Sequence, residues 1–318
     1  MKDSFDFYDK TSLKSYNLDK NMRYQLNMLD RLDVFTRKHC ENVANLTCRI
    51  CEYLHCTKGF TEYCTICAYL HDIGKLFIPP EILQKPGKLT EEEYEIMKTH
   101  TTIGHQMCIK DLKLRPYAAG ALYHHEALNG SGYPQGLTKK DIPYEGQIIR
   151  VADEYDAIVS KRQYKTHIGI SDTLKILIEN TKPSEDITND SSKSFALHRI
   201  ARNTRLGKNN PTIVKALFKV VIDDIGYEIS CTQSYVNGLQ EELKRLNQIK
   251  TYKEKMETAL NESKKSYYLE GMKVLLKPKE TLENFMEFYE QYETAYTQRK
   301  AIIDNLYNEI KIIKKLKV

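Results

Sequence analysis

The chain has 318 residues, of which 41% are hydrophobic and 29% are charged, and its formal net charge is +5. This length fits one large or two modest domains with a sizeable core, and so mild a charge gives no reason to expect binding of DNA or RNA polymers. Because no apolar run is long enough to cross a bilayer and no apolar segment near the start marks the chain for secretion, we expect a cytoplasmic protein without a membrane span.

Apolar residues recur at three- and four-residue spacing while glycine and proline are sparse, and this pattern predicts an all-α fold. Residues 1–30 are expected to form an N-terminal helical arm. Helices are then predicted at about 31–55, 60–73, 91–109, 116–126 and 145–160. Thr90 and Glu93 predict a capping box at the start of the third of these helices. A polar segment at 182–194 predicts a loop, and helices are predicted again at 195–205 and 211–225.

Beyond about residue 230 the chain is rich in Lys, Glu and Tyr, and a heptad pattern is present. Steps of four and three residues place apolar and aromatic side chains of segment 285–313 on one seam, which Arg299 interrupts. Segment 239–260 is a candidate partner, with the connection near 271–278. These features predict a C-terminal antiparallel helical hairpin, which either packs on the domain or mediates homodimer formation or partner docking. The predicted domains are 1–30, 31–229 and 230–318.

Four of the eight cysteines form two CxxC pairs, Cys48 with Cys51 and Cys64 with Cys67. This spacing is found in zinc sites. Both pairs, however, lie in helical apolar patterns and lack the turn glycine or proline of a zinc knuckle. Packing in the core is therefore the favoured interpretation, since free cysteine behaves as a small buried hydrophobe.

Several histidines and aspartates lie in apolar helical segments that should face a core. They are His39, His71, Asp72, His100, His124, His125 and Asp153. Buried imidazoles and carboxylates are costly unless they are paired or bind a metal. A pair of divalent ions would satisfy them together, because Asp72 has two oxygens and can bridge both ions. Two-metal sites of this kind cleave phosphoesters, and a mixture of imidazole and carboxylate suits iron (Fe) or manganese (Mn).

Three motifs resemble the HD-GYP subfamily of the HD phosphohydrolases: HDIGK at 71–75, HHEALNGSGYP at 124–134 and ADEYDAIVSKRQY at 152–164. The resemblance includes His39 and runs from about residue 31 to about 165, and more weakly to about 228. It implies an HD-type helical bundle and a metal-dependent phosphodiesterase that hydrolyses cyclic di-GMP. The implied reaction is attack of a metal-activated hydroxide on phosphorus, which gives linear pGpG and, after a second cut, GMP.

The same resemblance implies the ligands of each metal. One ion would be held by His39, His71, Asp72 and Asp153, and the other by Asp72, His100, His124 and His125. Asp156 lies one turn beyond Asp153 and is expected to orient a helix or to support a ligand. His105 matches no family role and is expected to be structural.

Residues that touch the substrate are implied in the same way, each with an alternative. Lys75 would be catalytic, together with Asp72, by contacting the scissile phosphate, unless it only pairs with a metal-bound carboxylate. Arg162 and Lys165 would bind phosphate or guanine, or else form a solvated helix end. Tyr133 would bind the substrate by stacking on a base, or would pack the loop. Some family members have a glutamate for a third metal where this chain has Phe35, so two metals are expected.

Two other functions fit the same residues. One is hydrolysis of another cyclic dinucleotide, such as cyclic GMP-AMP, since the ligand set does not distinguish these substrates. The other is a non-catalytic module that binds cyclic di-GMP and signals through the hairpin. A module of that kind usually lacks a metal ligand, whereas the set is complete in this sequence, so an enzyme is the favoured hypothesis.

Overall fold

The structure is a computed structural model, and it describes residues 34–160, 170–183 and 206–318. Within these ranges it consists of α-helices and short 3-10 helices with no β-strand, which confirms the predicted all-α class. None of the helices in the described ranges has both the length and the hydropathy needed to cross a membrane. The expected arm at 1–30 and the predicted helix at 195–205 lie outside the described residues.

The helices are connected mostly by short turns. The earlier ones are α1 Val34–Tyr53, α2 Lys58–Leu70, α3 Pro80–Leu83, α4 Glu91–Lys98, α5 His100–Lys110, α6 Ala118–Tyr123, α7 Tyr144–Ser160 and α8 Ile170–Glu179. The later ones are α9 Pro211–Glu257, α10 Glu262–Leu275 and α11 Phe285–Lys315. Short 3-10 helices are formed by Ile73–Phe77 and Arg115–Tyr117.

The capping box of α4 is confirmed, but the helix predicted over 91–109 is wrong. The Thr90 hydroxyl accepts from the Glu93 amide at 3.2 Å, and the Glu93 carboxylate accepts from the Thr90 amide at 2.8 Å. The helix then breaks, because both the amide and the hydroxyl of Thr99 donate to the carbonyl of Ile96, at 3.0 and 2.6 Å. The break makes His100 the first residue of α5.

Two other helices differ from the sequence prediction. Helix α8 has no predicted counterpart, although its buried Leu174, Leu177 and Ile178 follow a helical period. The predicted helix at 211–225 is only the first part of α9, which continues to Glu257.

The described residues form two compact units. One contains the described residues up to Val221 together with Lys315–Val318, and the other extends from Ile222 to Lys314. The division therefore falls inside the continuous helix α9, before the expected boundary at 229/230. The predicted domain assignments, and dimerisation through the C-terminal region, stay predictions.

In the first unit α1 packs against α2 and α7, while α5 packs against α6 and the 3-10 helix Ile73–Phe77. Helices α1 and α2 carry the four cysteines of the CxxC pairs, which are Cys48, Cys51, Cys64 and Cys67. All four are free thiols with at most 3% exposure. These cysteines pack in the core, as predicted. The packing of α5 on α6 and on the 3-10 helix that follows α2 brings the end of α2, the start of α5 and the end of α6 together.

The second unit contains three helical segments rather than the two of a simple hairpin. Residues predicted as the connection, near 271–278, include the end of α10. Phe285 of α11 is buried with Leu246 and Ile249 of α9 and with Met272 of α10. The Arg299 guanidinium lies 5.6 Å from the ring centre of Tyr235, so α11 runs antiparallel to α9. On α11 the buried side chains Phe285, Ile303 and Ile313 lie on the predicted seam.

Arg245 links α9 to the end of α10 and to the connection before α11, and its loss should destabilise this unit. It donates to both carboxylate oxygens of Glu280, each at 2.6 Å, and to the Leu275 carbonyl at 2.7 Å. Glu280 is only 8% exposed. In Arg245→Met the charged carboxylate of Glu280 would be left without its guanidinium partner. We therefore expect the free energy of unfolding of this unit to fall by about 2 kcal/mol.

Urea unfolding followed by circular dichroism measures this loss. Lys244→Met is the matched control, because Lys244 pairs with Glu241 on the open surface and exposed pairs contribute about 0–1 kcal/mol. Equal losses in the two variants would show that the Arg245 contacts do not stabilise the unit beyond an ordinary surface pair.

Candidate metal centre

His39 on α1 lies between two aspartates of α7. Its Nε2 is 3.0 Å from Oδ1 of Asp153, and its Nδ1 is 2.6 Å from Oδ2 of Asp156. Asn42, close to one turn further along α1, donates to Oδ1 of Asp156 at 3.1 Å. Asp156 therefore fixes the ring of His39 from the side opposite Asp153, and Asn42 in turn fixes Asp156.

His71 is the residue at which α2 ends, and it is fully buried. Its Nδ1 lies 2.6 Å from the carbonyl of Ala68. A carbonyl oxygen only accepts, so Nδ1 carries a proton, and a neutral His71 would present the lone pair of Nε2 to a cation. That Nε2 points towards Asp72 Oδ2 at 3.3 Å and Asp153 Oδ1 at 3.9 Å.

Asp72 lies at the centre of the cluster, and its two oxygens face different imidazoles. Oδ2 is 3.7 Å from Nε2 of His39 and 3.3 Å from Nε2 of His71. Oδ1 is 3.4 Å from Nε2 of His100 and 3.9 Å from Nε2 of His124. One carboxylate therefore joins two separate groups of nitrogen donors.

The second group comes from the start of α5 and the end of α6. Nδ1 of His100 lies 2.6 Å from the Met97 carbonyl, and Nδ1 of His124 lies 3.0 Å from the Gly120 carbonyl. Both rings are thus oriented in the same way as His71. Their Nε2 atoms lie only 3.2 Å apart, so two lone pairs face each other unless a cation or a proton lies between them.

Groups of the donor atoms could each hold a metal ion. His39, His71 and Asp153 offer donor atoms within 4.8 Å of one another, and so do His100, His124 and His125. Among the described residues, three buried side-chain N or O atoms make no hydrogen bond, and two of them are Nε2 of His71 and Oδ1 of Asp72. Buried polar atoms of this kind are costly without a partner. Nitrogen and carboxylate donors together suit transition-metal dications.

The charge states of His124, His125 and Asp72 agree with this fit, whereas His39 would have to release a proton to bind a cation. Burial lowers the pKa of His125 to about 3, and burial together with the neighbouring His125 holds the pKa of His124 well below its usual value, so both are neutral donors. Burial would raise the pKa of Asp72, but Lys75 and His71 hold it well below its usual value. Burial would lower the pKa of His39, but hydrogen bonds to Asp153 and Asp156 raise it to about 10.

The predicted substrate-binding residues were expected to contact the substrate or, alternatively, to have a structural role. Lys75 donates to Oδ2 of Asp72 at 2.5 Å, the geometry expected if it pairs with a carboxylate. Tyr133 stacks on the ring of His125, with 4.6 Å between centroids, so it packs its loop against the cluster. Arg162 and Lys165 lie outside the described residues.

Two residues that support the cluster were not singled out from the sequence. Glu126 is buried, and its carboxylate accepts from the amides of Gln135 and Leu137 at 2.7 and 2.8 Å, which closes the glycine-rich loop. Arg150 donates to the His125 carbonyl at 3.1 Å and to the Asn209 side chain at 2.9 Å. The only sequence signal for Glu126 is its place after the two histidines, and Arg150 gives none.

The HD domain family matches residues 23–186, which is more than half of the chain and contains every candidate metal ligand. The chain belongs to the HD domain family. The expected assignment to its HD-GYP subfamily is confirmed, since the curated relatives include several cyclic di-GMP phosphodiesterases.

The HD domain chain is similar to relatives over part of their length. A cyclic di-GMP phosphodiesterase of Thermotoga maritima is 48% identical over 143 residues, which are 44% of this chain and 39% of that protein. A 3'3'-cGAMP-specific phosphodiesterase of Vibrio cholerae is 34% identical over 154 residues, 48% of this chain and 35% of that protein. The chain thus spans well under half the length of these relatives. Among solved structures, Bd1817, an HDG"Y"P protein from Bdellovibrio bacteriovorus, has a TM-score of 0.43 and 18% identity over 63% of this chain and 60% of that one.

Proposed function

We propose that this HD domain protein is a metal-dependent phosphodiesterase that hydrolyses cyclic di-GMP to linear pGpG, with a second cut to GMP. The observation that carries the proposal is the placement of Asp72, whose two oxygens face two separate groups of imidazole nitrogens. The similarity to the Thermotoga maritima phosphodiesterase supports the choice of substrate.

We assign two metal ions, of iron or manganese, to these two groups. One set of ligands is His39, His71, Asp72 and Asp153, and the other is Asp72, His100, His124 and His125. When bound, a pair of such ions supplies hydroxide near neutral pH and offsets negative charge on the phosphate in the transition state.

Hydrogen bonds within the protein fix the orientation of the imidazole nitrogens that would bind the metals. Hydrogen bonds from Nδ1 to a backbone carbonyl or to Asp156 hold four imidazoles with Nε2 turned inwards. Ligands held in this way lose little freedom on binding, because the ring orientation is already fixed.

We assign Lys75 to the scissile phosphate. Its ammonium already lies beside the cluster at Asp72, and 21% of its side chain is exposed, so it can exchange part of its contact with Asp72 for a phosphate oxygen. Arg162 and Lys165 are proposed to bind phosphate or guanine further out. Tyr133 is proposed to position the loop and to offer one ring edge to the substrate.

A substrate panel tests the proposal. The metal-loaded protein is incubated with cyclic di-GMP and with 3'3'-cyclic GMP-AMP, and the products are separated by chromatography. We expect faster cleavage of cyclic di-GMP, with pGpG formed before GMP. Faster cleavage of cyclic GMP-AMP would favour the activity named for the Vibrio cholerae relative. Tight binding without any turnover would contradict an enzyme and support a binding module.

A further inference from the structure

A lysine and two tyrosines form a cluster next to the metal centre, and none of the assigned catalytic roles uses Lys98 or Tyr94. Lys98 and Tyr94 are one turn apart on α4 and share one helix face. The Lys98 ammonium lies 5.4 Å from the ring centre of Tyr94 and 5.8 Å from that of Tyr133. Tyr133 in turn stacks on His125. The cluster therefore borders the proposed ligands directly.

The two rings hold the ammonium in place. The rings of Tyr94 and Tyr133 meet edge to face at 6.3 Å, and a cation over such rings gains about 0.5–1 kcal/mol per contact at an accessible site. Tyr94 is 47% exposed although it is a large aromatic residue, so the cluster is open on one side.

The acidic partner of Lys98 is easily exchanged. The ammonium lies 2.6 Å from Oε1 of Glu95, whose side chain is 70% exposed. Surface pairs of this kind are worth about 0–1 kcal/mol, whereas a charge-assisted hydrogen bond to a phosphate is stronger. An anion that reaches this cluster can therefore displace Glu95 without a large loss.

A cyclic dinucleotide carries two phosphates in one ring, and only one of them can be cleaved at the metal centre at a time. We propose that Lys98, with the hydroxyls of Tyr94 and Tyr133, binds the second phosphate while the first is cleaved. This inference rests on the proposed function and extends it, because it names a phosphate subsite outside the metal centre. The subsite would serve any cyclic dinucleotide and would not select the base.

Steady-state kinetics on the full, metal-loaded chain tests the subsite. For Lys98→Met we expect KM for cyclic di-GMP to rise roughly tenfold, because one charge-assisted contact is lost, and kcat to change less than about twofold. Hydrolysis of bis(p-nitrophenyl) phosphate, which has a single phosphate, should change far less. Lys98→Arg keeps the charge and should restore most of the affinity. Lys110→Met removes an exposed lysine at the end of the next helix and serves as the matched control.

Equal losses on both substrates, or an unchanged KM for cyclic di-GMP, would overturn the subsite. Calorimetry with cyclic di-GMP separates this inference from the proposed function. If the unaltered protein binds the dinucleotide without cleaving it, the proposed function fails, while a roughly tenfold weaker Kd in Lys98→Met still supports the subsite. If the unaltered protein does not bind it at all, both are wrong.

Discussion

Replacing Asp72 by Asn should abolish turnover of cyclic di-GMP and remove most of the bound metal. The substitution keeps the size of the side chain but replaces one charged oxygen with an amide group, so the residue can no longer bridge two cations. Four imidazole nitrogens lie within 3.9 Å of this carboxylate, and the remaining donors would be left as two incomplete sets. We expect a loss in kcat/KM of at least about 10³-fold.

The matched control is Asp304→Asn, which removes the same charge from an exposed position on α11. Metal content is measured by elemental analysis, and the thermal midpoint shows whether each variant is folded. The control should keep both the metal and the activity. A folded Asp72→Asn protein that still holds two ions per chain would show that Asp72 is not the bridging ligand.

Replacing Gly74 by Ala should have the second largest effect, through packing rather than charge. A Cβ at this position would lie 1.9 Å from the His100 carbonyl oxygen and 2.6 Å from the Gly104 amide nitrogen. Both contacts are backbone atoms of α5, so the only relief is to move the 3-10 helix away from α5. That movement would separate Asp72 from His100. We expect the free energy of unfolding to fall by about 3 kcal/mol and metal binding to weaken.

Gly59→Ala is the matched control, because a Cβ there would meet nothing within 4 Å. Gly59 lies in the first turn of α2, where alanine is the better helix former, so this variant should be as stable as the unaltered protein or about 0.5 kcal/mol more stable. Urea unfolding measures both variants. A Gly74→Ala protein with unchanged stability and unchanged metal content would contradict the tight packing of α5 on this helix.

Local sequence patterns predict much of the fold. Helical spacing gives the all-α class, and the Thr90–Glu93 pair gives the start of α4 correctly, because a capping box depends on four neighbouring residues only. The break at Thr99 is not predicted, since it depends on how one side chain competes for one carbonyl. The length of α9 is underestimated as well, because a change in composition near residue 230 does not interrupt the helix.

The candidate site is predictable as a set of residues but not as a geometry. Buried histidines and aspartates in apolar helical patterns point to one polar cluster, and the structure brings the seven predicted ligands together. The orientation of the imidazoles depends on backbone carbonyls and on Asp156. The position of His125 depends on Arg150, which also binds Asn209, far away in the sequence. Such contacts leave no periodic or spacing signal.

The most direct test of a two-metal phosphodiesterase is the metal content of the active protein. The protein is purified without oxygen, its iron and manganese are counted per chain by elemental analysis, and the same sample is assayed with cyclic di-GMP. Two transition-metal ions per chain, together with formation of linear pGpG, are predicted. A sample that cleaves cyclic di-GMP with one ion or none per chain would contradict the assignment of two metals bridged by Asp72.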